Sequence, residues 1–318
     1  MKEMAISVVM TTYNGEKFLS EQMDSILKQS VLPDEIIVVD DCSTDGTWDM
    51  LMEYAAKYAF IKVSRTDSNI GAHQNFRKAL ALSSCPLIAP SDQDDIWRED
   101  HLQVMRDILV ERNAEFVYSQ DDIMWENGSI EAFPQKMPAL RELIWRNNMR
   151  GHTFLFKREL LAVFDTVKHL PFDHALALKA SMSKRYGSTD EALSIWRRHK
   201  GVCTTAMSDH SELVYQSVSR RKKLRYTFRH LRDERSLPIQ VNFEEVGIIF
   251  FGDPSFKRYA KVCKCMAKQT HWSMASASWN NAMIQEYDGG LKNRIAHFLW
   301  ALRYPWIFWY DMHGLHAL

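Results

Sequence analysis

Apolar and polar positions along the first 120 residues fall into short apolar runs separated by amphipathic stretches. Ile6–Thr11 is apolar and β-branched, which predicts a strand. Past Asn14-Gly15, the residues Leu19, Met23, Ile26 and Leu27 share one stripe of a helix, and Pro33 stops it. Glu35–Asp40 reads EIIVVD, the nearly continuous apolar pattern of a strand covered on both faces of a parallel sheet. Trp48, Leu51, Met52, Ala55 and Ala59 mark a second helix, and Phe60–Arg65 a third strand. Phe76, Ala79 and Leu80 mark a third helix, and Pro86–Pro90 a fourth strand. A helix from Trp97 to Arg112 and a strand over Glu115–Gln120 continue the alternation. This rhythm predicts an α/β sandwich around a mainly parallel sheet.

The pattern then changes. Asn127-Gly128 between two strand-like arms, Met124–Glu131, is a hairpin signal. Thr153–Lys157 reads as a strand, Phe172–Arg185 as a helix ending at Gly187, and Ala192–His199 as a strand. From about 210 the chain reads as helical and basic: 210–235 sets Leu213, Val214, Val218, Leu224, Phe228 and Leu231 near one face, ringed by arginines and lysines. Two domains follow, 1–205 and 206–318.

Composition sharpens this only slightly. At 46% hydrophobic and 25% charged the chain is in the globular range, which argues against disorder, collagen or coiled coil. The formal net charge of zero conceals a gradient: 9 Lys+Arg against 17 Asp+Glu in 1–100, but 16 against 10 in 201–318. An acidic front and a basic back suggest a metal or sugar site in one and an anionic partner for the other. Five cysteines, at 42, 85, 203, 263 and 265, show neither disulfide-framework nor zinc spacing, which favours reduced thiols in a cytosolic protein. The first residues turn polar too quickly for a signal peptide, and no stretch approaches the roughly 20 apolar residues of a spanning helix.

In open α/β sheets ligands bind beyond the carboxyl ends of the strands, so the polar clusters after the strands are the place for chemistry. They are TTYNG, DDCSTDGT, TDSNIG and SDQDDIW. Neither G-x-G-x-x-G nor a P-loop occurs, so dinucleotide and P-loop phosphate binding are unsupported. In an extended segment i and i+2 face alike, so Asp92 and Asp94 could converge on one cation with Asp95 turned aside. Clustered carboxylates of this kind suit Mg²⁺ or Mn²⁺. An acidic first turn of the helix near Trp97 is the simpler alternative.

In this order, VVMTTYNGEKFLSEQMDSILKQS, VVDDCSTDGT, NIGAHQNF and SDQDDIW resemble glycosyltransferase family 2. The likeness is tightest over 5–125 and thins toward 200, and the SDQDDIW form is similar to bacterial rhamnosyltransferase-like members that build surface polysaccharides. The resemblance implies a GT-A nucleotide-diphospho-sugar transferase fold, three layers α/β/α on a mostly parallel sheet, with a helical C-terminal extension. It implies a nucleoside-diphosphate sugar donor, dTDP-rhamnose first and a UDP-hexose as the alternative. It also implies a Mg²⁺ or Mn²⁺ ion on the diphosphate, and a glycan or lipid-linked glycan acceptor. Thr11, Tyr13 and Asp41 match positions lining the base pocket, and Asn69 and Gly71 the loop near the nucleoside. Asp92 matches the first acid of the DxD motif, beside the ribose or sugar, and Asp94 the second, the metal ligand. Asp40 reads as structural, and Ser43, Thr44 and Asp45 read as helix caps before they read as ligands.

The acceptor hydroxyl needs a base, and Asp173 in LPFDHALALKA resembles the acid near the end of the family's catalytic domain. Here Phe172 precedes it and His174 follows, and an ordinary N-cap after Pro171 is the alternative. SIWRRHKG resembles the family's Tyr-Arg-x-His segment, so Arg197, Arg198 and His199 are candidates for the diphosphate and His199 for the metal shell. Asp121 and His152 could line the acceptor side, although a solvated hairpin edge explains Asp121 equally well. The basic 210–235 segment and the aromatic Trp300–Tyr310 fit peripheral contact with an anionic membrane at its cytoplasmic face. Packing on the catalytic domain, or on a second copy as a homo-oligomer, would use the same residues. No nucleic-acid partner is implied. A nucleotidyltransferase would need a Gly-rich loop that TTYNGEKF lacks, and a non-catalytic binding scaffold is the remaining alternative.

Overall fold

The computed structural model describes residues 4–145, 147–199, 237–251, 253–268 and 270–284, together with Leu302 and Pro305. Nine strands form one sheet: β1 (Ile6–Thr12), β2 (Glu35–Asp40), β3 (Ile61–Arg65), β4 (Leu87–Ser91), β5 (Ile96–Trp97), β6 (Phe116–Met124), β7 (Ile130–Phe133), β8 (Phe154–Lys157) and β9 (Tyr186–Arg197). Their order is β3-β2-β1-β4-β8-β6-β9-β5, with β7 paired to β6. The first four strands run parallel, while β8 enters antiparallel between β4 and β6. β9 is again parallel to β6.

Alternation along the strands defines three layers. Ile6, Val8 and Met10 of β1 and Ile36 and Val38 of β2 join Leu19, Met23 and Ile26 of α1 (Leu19–Leu27) in one core. Leu51 of α2 (Thr47–Lys57) and Leu102, Met105 and Leu109 of α4 (His101–Glu111) complete that core. The intervening residues Val9, Ile37 and Val39 are equally buried and face the other way. On that side lies α3 (Ala72–Leu82), whose buried Asn75 donates to the Val39 carbonyl at 2.8 Å. Double-sided burial is why EIIVVD carries no polar alternation.

Several boundaries differ from the sequence expectation, and β6 runs on to Met124. Trp97 opens no helix. It sits in β5, pairs with Ser194, and stacks on His101 with centroids 4.2 Å apart, so it is a packing residue. The helix α6 (Phe172–Ser183) ends at Lys184, whose φ of 57° takes the left-handed cap position, and not at Gly187. Gly187 lies inside β9, which pairs with β6 from Phe116↔Tyr186 onward. The hairpin at Asn127-Gly128 is present, with Gly128 at φ 80°.

The chain divides into two compact units, one over 1–137, 148–162 and 171–208, the other over 138–147, 163–170 and 209–318. The second unit contains α5 (Leu140–Leu143), α7 (Leu237–Phe250), α8 (Lys257–Lys268) and α9 (His271–Ala282). Phe243 meets the Trp145 ring edge-on at 5.5 Å. The buried Glu245 carboxylate accepts from three successive backbone N–H groups, of Lys168, His169 and Leu170. The 210–235 segment and most of 298–310 lie outside the described residues. Among the described residues no helix is long and apolar enough to cross a membrane, and Cys42, Cys85, Cys263 and Cys265 form no disulfide.

Candidate functional site

The loops after β1, β2 and β3 are stitched to one another at the sheet's carboxyl edge. Asp40 accepts from Thr12 Oγ1 at 2.9 Å and from the Ser43 N–H at 2.9 Å, and Arg65 lies 3.2 Å away, so it is structural as expected. Asp41, also buried, accepts from the N–H groups of Ile70 and Gly71, both at 2.8 Å, and from Thr66 Oγ1 at 3.1 Å. The Asn69 side chain caps the same Gly71 N–H at 3.0 Å. Gly71 has φ 85°, a conformation that favours glycine, so its turn and the carboxylate that organises it are matched. Asp41, Asn69 and Gly71 are therefore one constellation. Thr11 lies near the end of β1, and the half-exposed Tyr13 follows it, its N–H bonded to the Gln93 side chain at 2.9 Å.

The Ser43–Asp45 segment is bound to the helix entry and the first loop. Asp45 precedes the N-cap Gly46 of α2 and accepts from the Thr47 N–H at 3.1 Å and the Glu16 N–H at 3.2 Å, tying the helix entry to the first loop. Ser43 and Thr44 also join the first loop: Ser43 Oγ accepts from the Asn14 N–H at 2.9 Å, and Asn14 Oδ1 accepts from the Thr44 N–H at 2.8 Å.

After β4 the acidic motif bends, which overturns the pairing expected of an extended segment. Asp92 and Asp94 diverge. Asp94 Oδ2 meets His199 Nε2 at 2.7 Å, and Arg197 Nε donates to the Asp94 carbonyl at 3.0 Å. The Arg197 guanidinium also pairs with Glu21 and lies over the Phe18 ring, 4.8 Å from its centre. Arg198 is buried, with its guanidinium 4.6 Å from the centre of the Trp196 ring. Burial pushes the Arg198 guanidinium down, and the charges of Asp94 and Asp95 oppose that fall.

Asp92 and Asp95 turn together onto His152. Its Nδ1 is 3.2 Å from Asp92 Oδ2 and 3.5 Å from Asp95 Oδ2, while its Nε2 is 2.9 Å from Asp121 Oδ2. Asp121 also receives Arg150 Nε at 2.7 Å, and Arg150 donates to the Phe133 carbonyl at 2.7 Å. Burial alone would push the His152 imidazole down. The carboxylates of Asp95, Asp121 and Asp92 outweigh it and hold His152 well above its ordinary value. Asp95, fully buried beside Asp92 and Asp94, is pushed above the ordinary carboxyl range.

Two groups could be read as cation sites. Asp92, Asp95 and His152 bring three ligand atoms within 4.8 Å of one another. The other nitrogen of His152, Nε2, faces Asp121 at 2.9 Å, as the second nitrogen of a metal-bound imidazole commonly faces a carboxylate, so this group also fits a cation. Asp94 and His199 pair an oxygen with a nitrogen donor, and both remain partly open to solvent, at 16% and 18% exposure. That donor set fits Mn²⁺ or Mg²⁺.

Asp173 stands in the first turn of α6 and accepts from the His174 N–H at 2.7 Å. The N-cap position belongs to Pro171, so Asp173 is not the cap after Pro171 that the sequence allowed. Its neighbour Phe172 packs on Phe76, with centroids 4.6 Å apart, and over Gly151, where a Cβ would come within 2.4 Å of the Phe172 ring. The start of α6 is thereby set against the residue next to His152.

Arg150 escaped the sequence reading altogether, and Asp121 is no solvated edge, being 1% exposed. A periodicity argument cannot find either, because they pair with each other across 29 positions of sequence. The one available signal was Arg150 and His152 standing just ahead of the mostly apolar strand Phe154–Lys157.

A mixed α/β sheet carrying acidic strand-end loops and a crossing Asp–His pair has the GT-A architecture. Residues 7–170, just over half of the chain, match the Glycosyl transferase family 2, and the chain belongs to that family. TuaG of Bacillus subtilis, named for teichuronic acid biosynthesis, is 34% identical over 124 residues, which are 39% of this chain and 49% of TuaG. The chain thus spans about half the length of that relative. WfgD of Escherichia coli, named as a UDP-Glc:alpha-D-GlcNAc-diphosphoundecaprenol beta-1,3-glucosyltransferase, is 30% identical across 55% of this chain and 67% of its own. RfbG of Shigella flexneri, named as a dTDP-rhamnosyl transferase, is 31% identical across 49% of this chain and 56% of its own. The crystal structure of S. aureus TarS 1–349 with UDP-GlcNAc shares the fold: TM-score 0.54 at 20% identity, over 98% of this chain and 92% of that one.

Proposed function

We propose that the protein is an inverting glycosyltransferase that moves a sugar from a nucleoside diphosphate to a hydroxyl of a glycan or lipid-linked glycan. The observation that carries this reading is the Asp94–His199 pair at 2.7 Å, brought together from the end of β4 and the residues after β9. The Asp41–Asn69–Gly71 constellation flanks the base-binding edge, with Thr11 and Tyr13 beside it. Asp94 and His199 would hold a divalent ion, which draws charge off the leaving diphosphate when bound. Arg197 and Arg198 add fixed positive charge beside it.

In the transfer, the acceptor oxygen forms a bond to the anomeric carbon as the bond from that carbon to the diphosphate oxygen breaks. The diphosphate leaves with the electron pair, and the hydroxyl proton passes to the Asp173 carboxylate. Asp92, fixed by His152, faces the sugar or ribose. The donor reading is dTDP-rhamnose, supported by the SDQDDIW form and by the naming of RfbG, with a UDP-hexose as the second reading on the naming of WfgD. A lipid-linked acceptor would bring the enzyme to the cytoplasmic face of a membrane.

The test is product analysis with dTDP-rhamnose and UDP-glucose over a set of lipid-diphosphate glycan acceptors. Release of free nucleoside diphosphate with an elongated acceptor supports transfer. Pyrophosphate as product would replace it by nucleotidyl transfer, and tight donor binding without turnover would leave a scaffold.

A further inference from the structure

The lysines of α8 stand at 257, 261, 264 and 268, spacings of four, three and four that place them along one line of the helix. All four are exposed. The opposite line, Tyr259, Val262, Cys263, Met266 and Ala267, is buried. Two residues further on, α9 begins with a capping box between Thr270 and Ser273. It then presents Trp272, Ala275 and Trp279 along one exposed line, opposite its buried Met274, Ala277 and Ser278. Trp272 is 88% exposed, the highest value among the large apolar side chains described, and Trp279 is 56% exposed. From 257 to 282 the hairpin carries five Lys and Arg and no Asp or Glu.

Two solvated indoles and a cationic line on consecutive helices that pack together call for an occupant that is apolar in part and negative in part. A second copy meeting the same face would give these lysines no acidic partner, because a twofold contact uses the same patch on both sides and 257–282 holds no Asp or Glu. An anionic bilayer supplies both partners at once. Its interfacial zone takes tryptophan rings, and its phosphates take lysines. The small residues at the surface between the tryptophans, Ala275 and Ser276, suit shallow seating in the headgroup layer.

We propose that the α8–α9 hairpin docks the protein on an anionic lipid surface, with Trp272 and Trp279 at headgroup depth and Lys257, Lys261, Lys264 and Lys268 against lipid phosphates. Vesicle binding needs no donor sugar, so this inference stands or falls separately from the transfer reading.

The experiment is co-sedimentation of the full chain with vesicles of phosphatidylcholine alone, or with about a third phosphatidylglycerol. Binding is expected to the anionic vesicles, weakening as salt is raised. The K257Q/K261Q/K264Q/K268Q variant should lose at least about a hundredfold in affinity, at roughly fivefold per lysine. W272S/W279S should lose about tenfold while keeping the salt dependence. Neutralising exposed lysines elsewhere, K57Q/K78Q, should leave binding unchanged. Equal binding to neutral vesicles, or wild-type binding by the quadruple variant, would overturn the proposal. It would equally be overturned if W272S/W279S bound vesicles normally and instead altered the molar mass by light scattering, which would make this face a protein contact.

Discussion

The two sides of the site are built differently. On the side proposed for the nucleotide, Asn14, Ser43, Asp45, Asn69 and Asp41 accept from backbone N–H groups of their own or neighbouring loops. On the transfer side, Asp95, Asp121, Arg150 and His152 form a buried charge network drawn from three separate stretches of chain. Apart from the linked Asp41–Asn69–Gly71 group, the first side is a set of separate hydrogen bonds, each worth about 1 kcal/mol. The second is cooperative, because removing one member strands the others as uncompensated buried charge. Local damage should therefore be graded on the nucleotide side and abrupt on the transfer side.

The largest effect is expected at Asp173. Asp173→Asn should lower kcat by about 10²–10⁴-fold. Donor affinity should be unchanged by calorimetry; a variant that loses donor affinity instead would move Asp173 out of the base role. Next is His152→Leu, expected to cost about 3–5 kcal/mol in denaturant unfolding. Loss of under about 1 kcal/mol there would show that the two sides are built alike.

Two buried groups, His152 in the site and Glu35 at the opposite edge of the sheet, divide the pH scale. His152 has a folded pKa raised well above its ordinary value of 6.5, so its contribution is full below 6.5 and is lost as pH rises through the folded value. Stability measured on the alkaline side should fall in the wild type and flatten in His152→Leu. Glu35, at the start of β2, behaves oppositely. Burial pushes it up, but hydrogen bonds from Lys62, Ser7 and Ser84 outweigh that and hold it at about 2, against an ordinary 4.5. Its contribution is full above 4.5 and is lost as pH falls toward 2. Glu35→Gln should cost about 2–3 kcal/mol at neutral pH and flatten the acid limb. The smallest effect is Asp45→Ala, about 1 kcal/mol with donor binding retained, as loss of hydrogen bonds to loop N–H groups requires.

This division also explains what the sequence disclosed. The strands β1 to β4 follow local periodicity, and the motifs after them supply Asp41, Asn69 and Gly71, which bond to one another, and Asp94, which meets His199. The i, i+2 rule failed at Asp92 and Asp94 because the segment after Ser91 bends, sending Asp92 with Asp95 to His152. The start of β9 and the place of Trp97 were missed because pairing with β6 and with Ser194 decides them. Arg150 and the burial of Asp121 depend on contacts across 29 positions of sequence, which no local window samples.

The most direct measurement is thermal unfolding with dTDP and UDP, each with and without Mn²⁺, on the wild type and on Asp94→Ala. A nucleotide that binds the native state at 100-fold excess over Kd should raise Tm by roughly 5 °C. The wild type should show that rise only with Mn²⁺ present, and Asp94→Ala should melt at the unliganded temperature and show none. A shift that ignores the metal, one that survives in Asp94→Ala, or no shift with either nucleotide would contradict a donor site centred on Asp94 and His199.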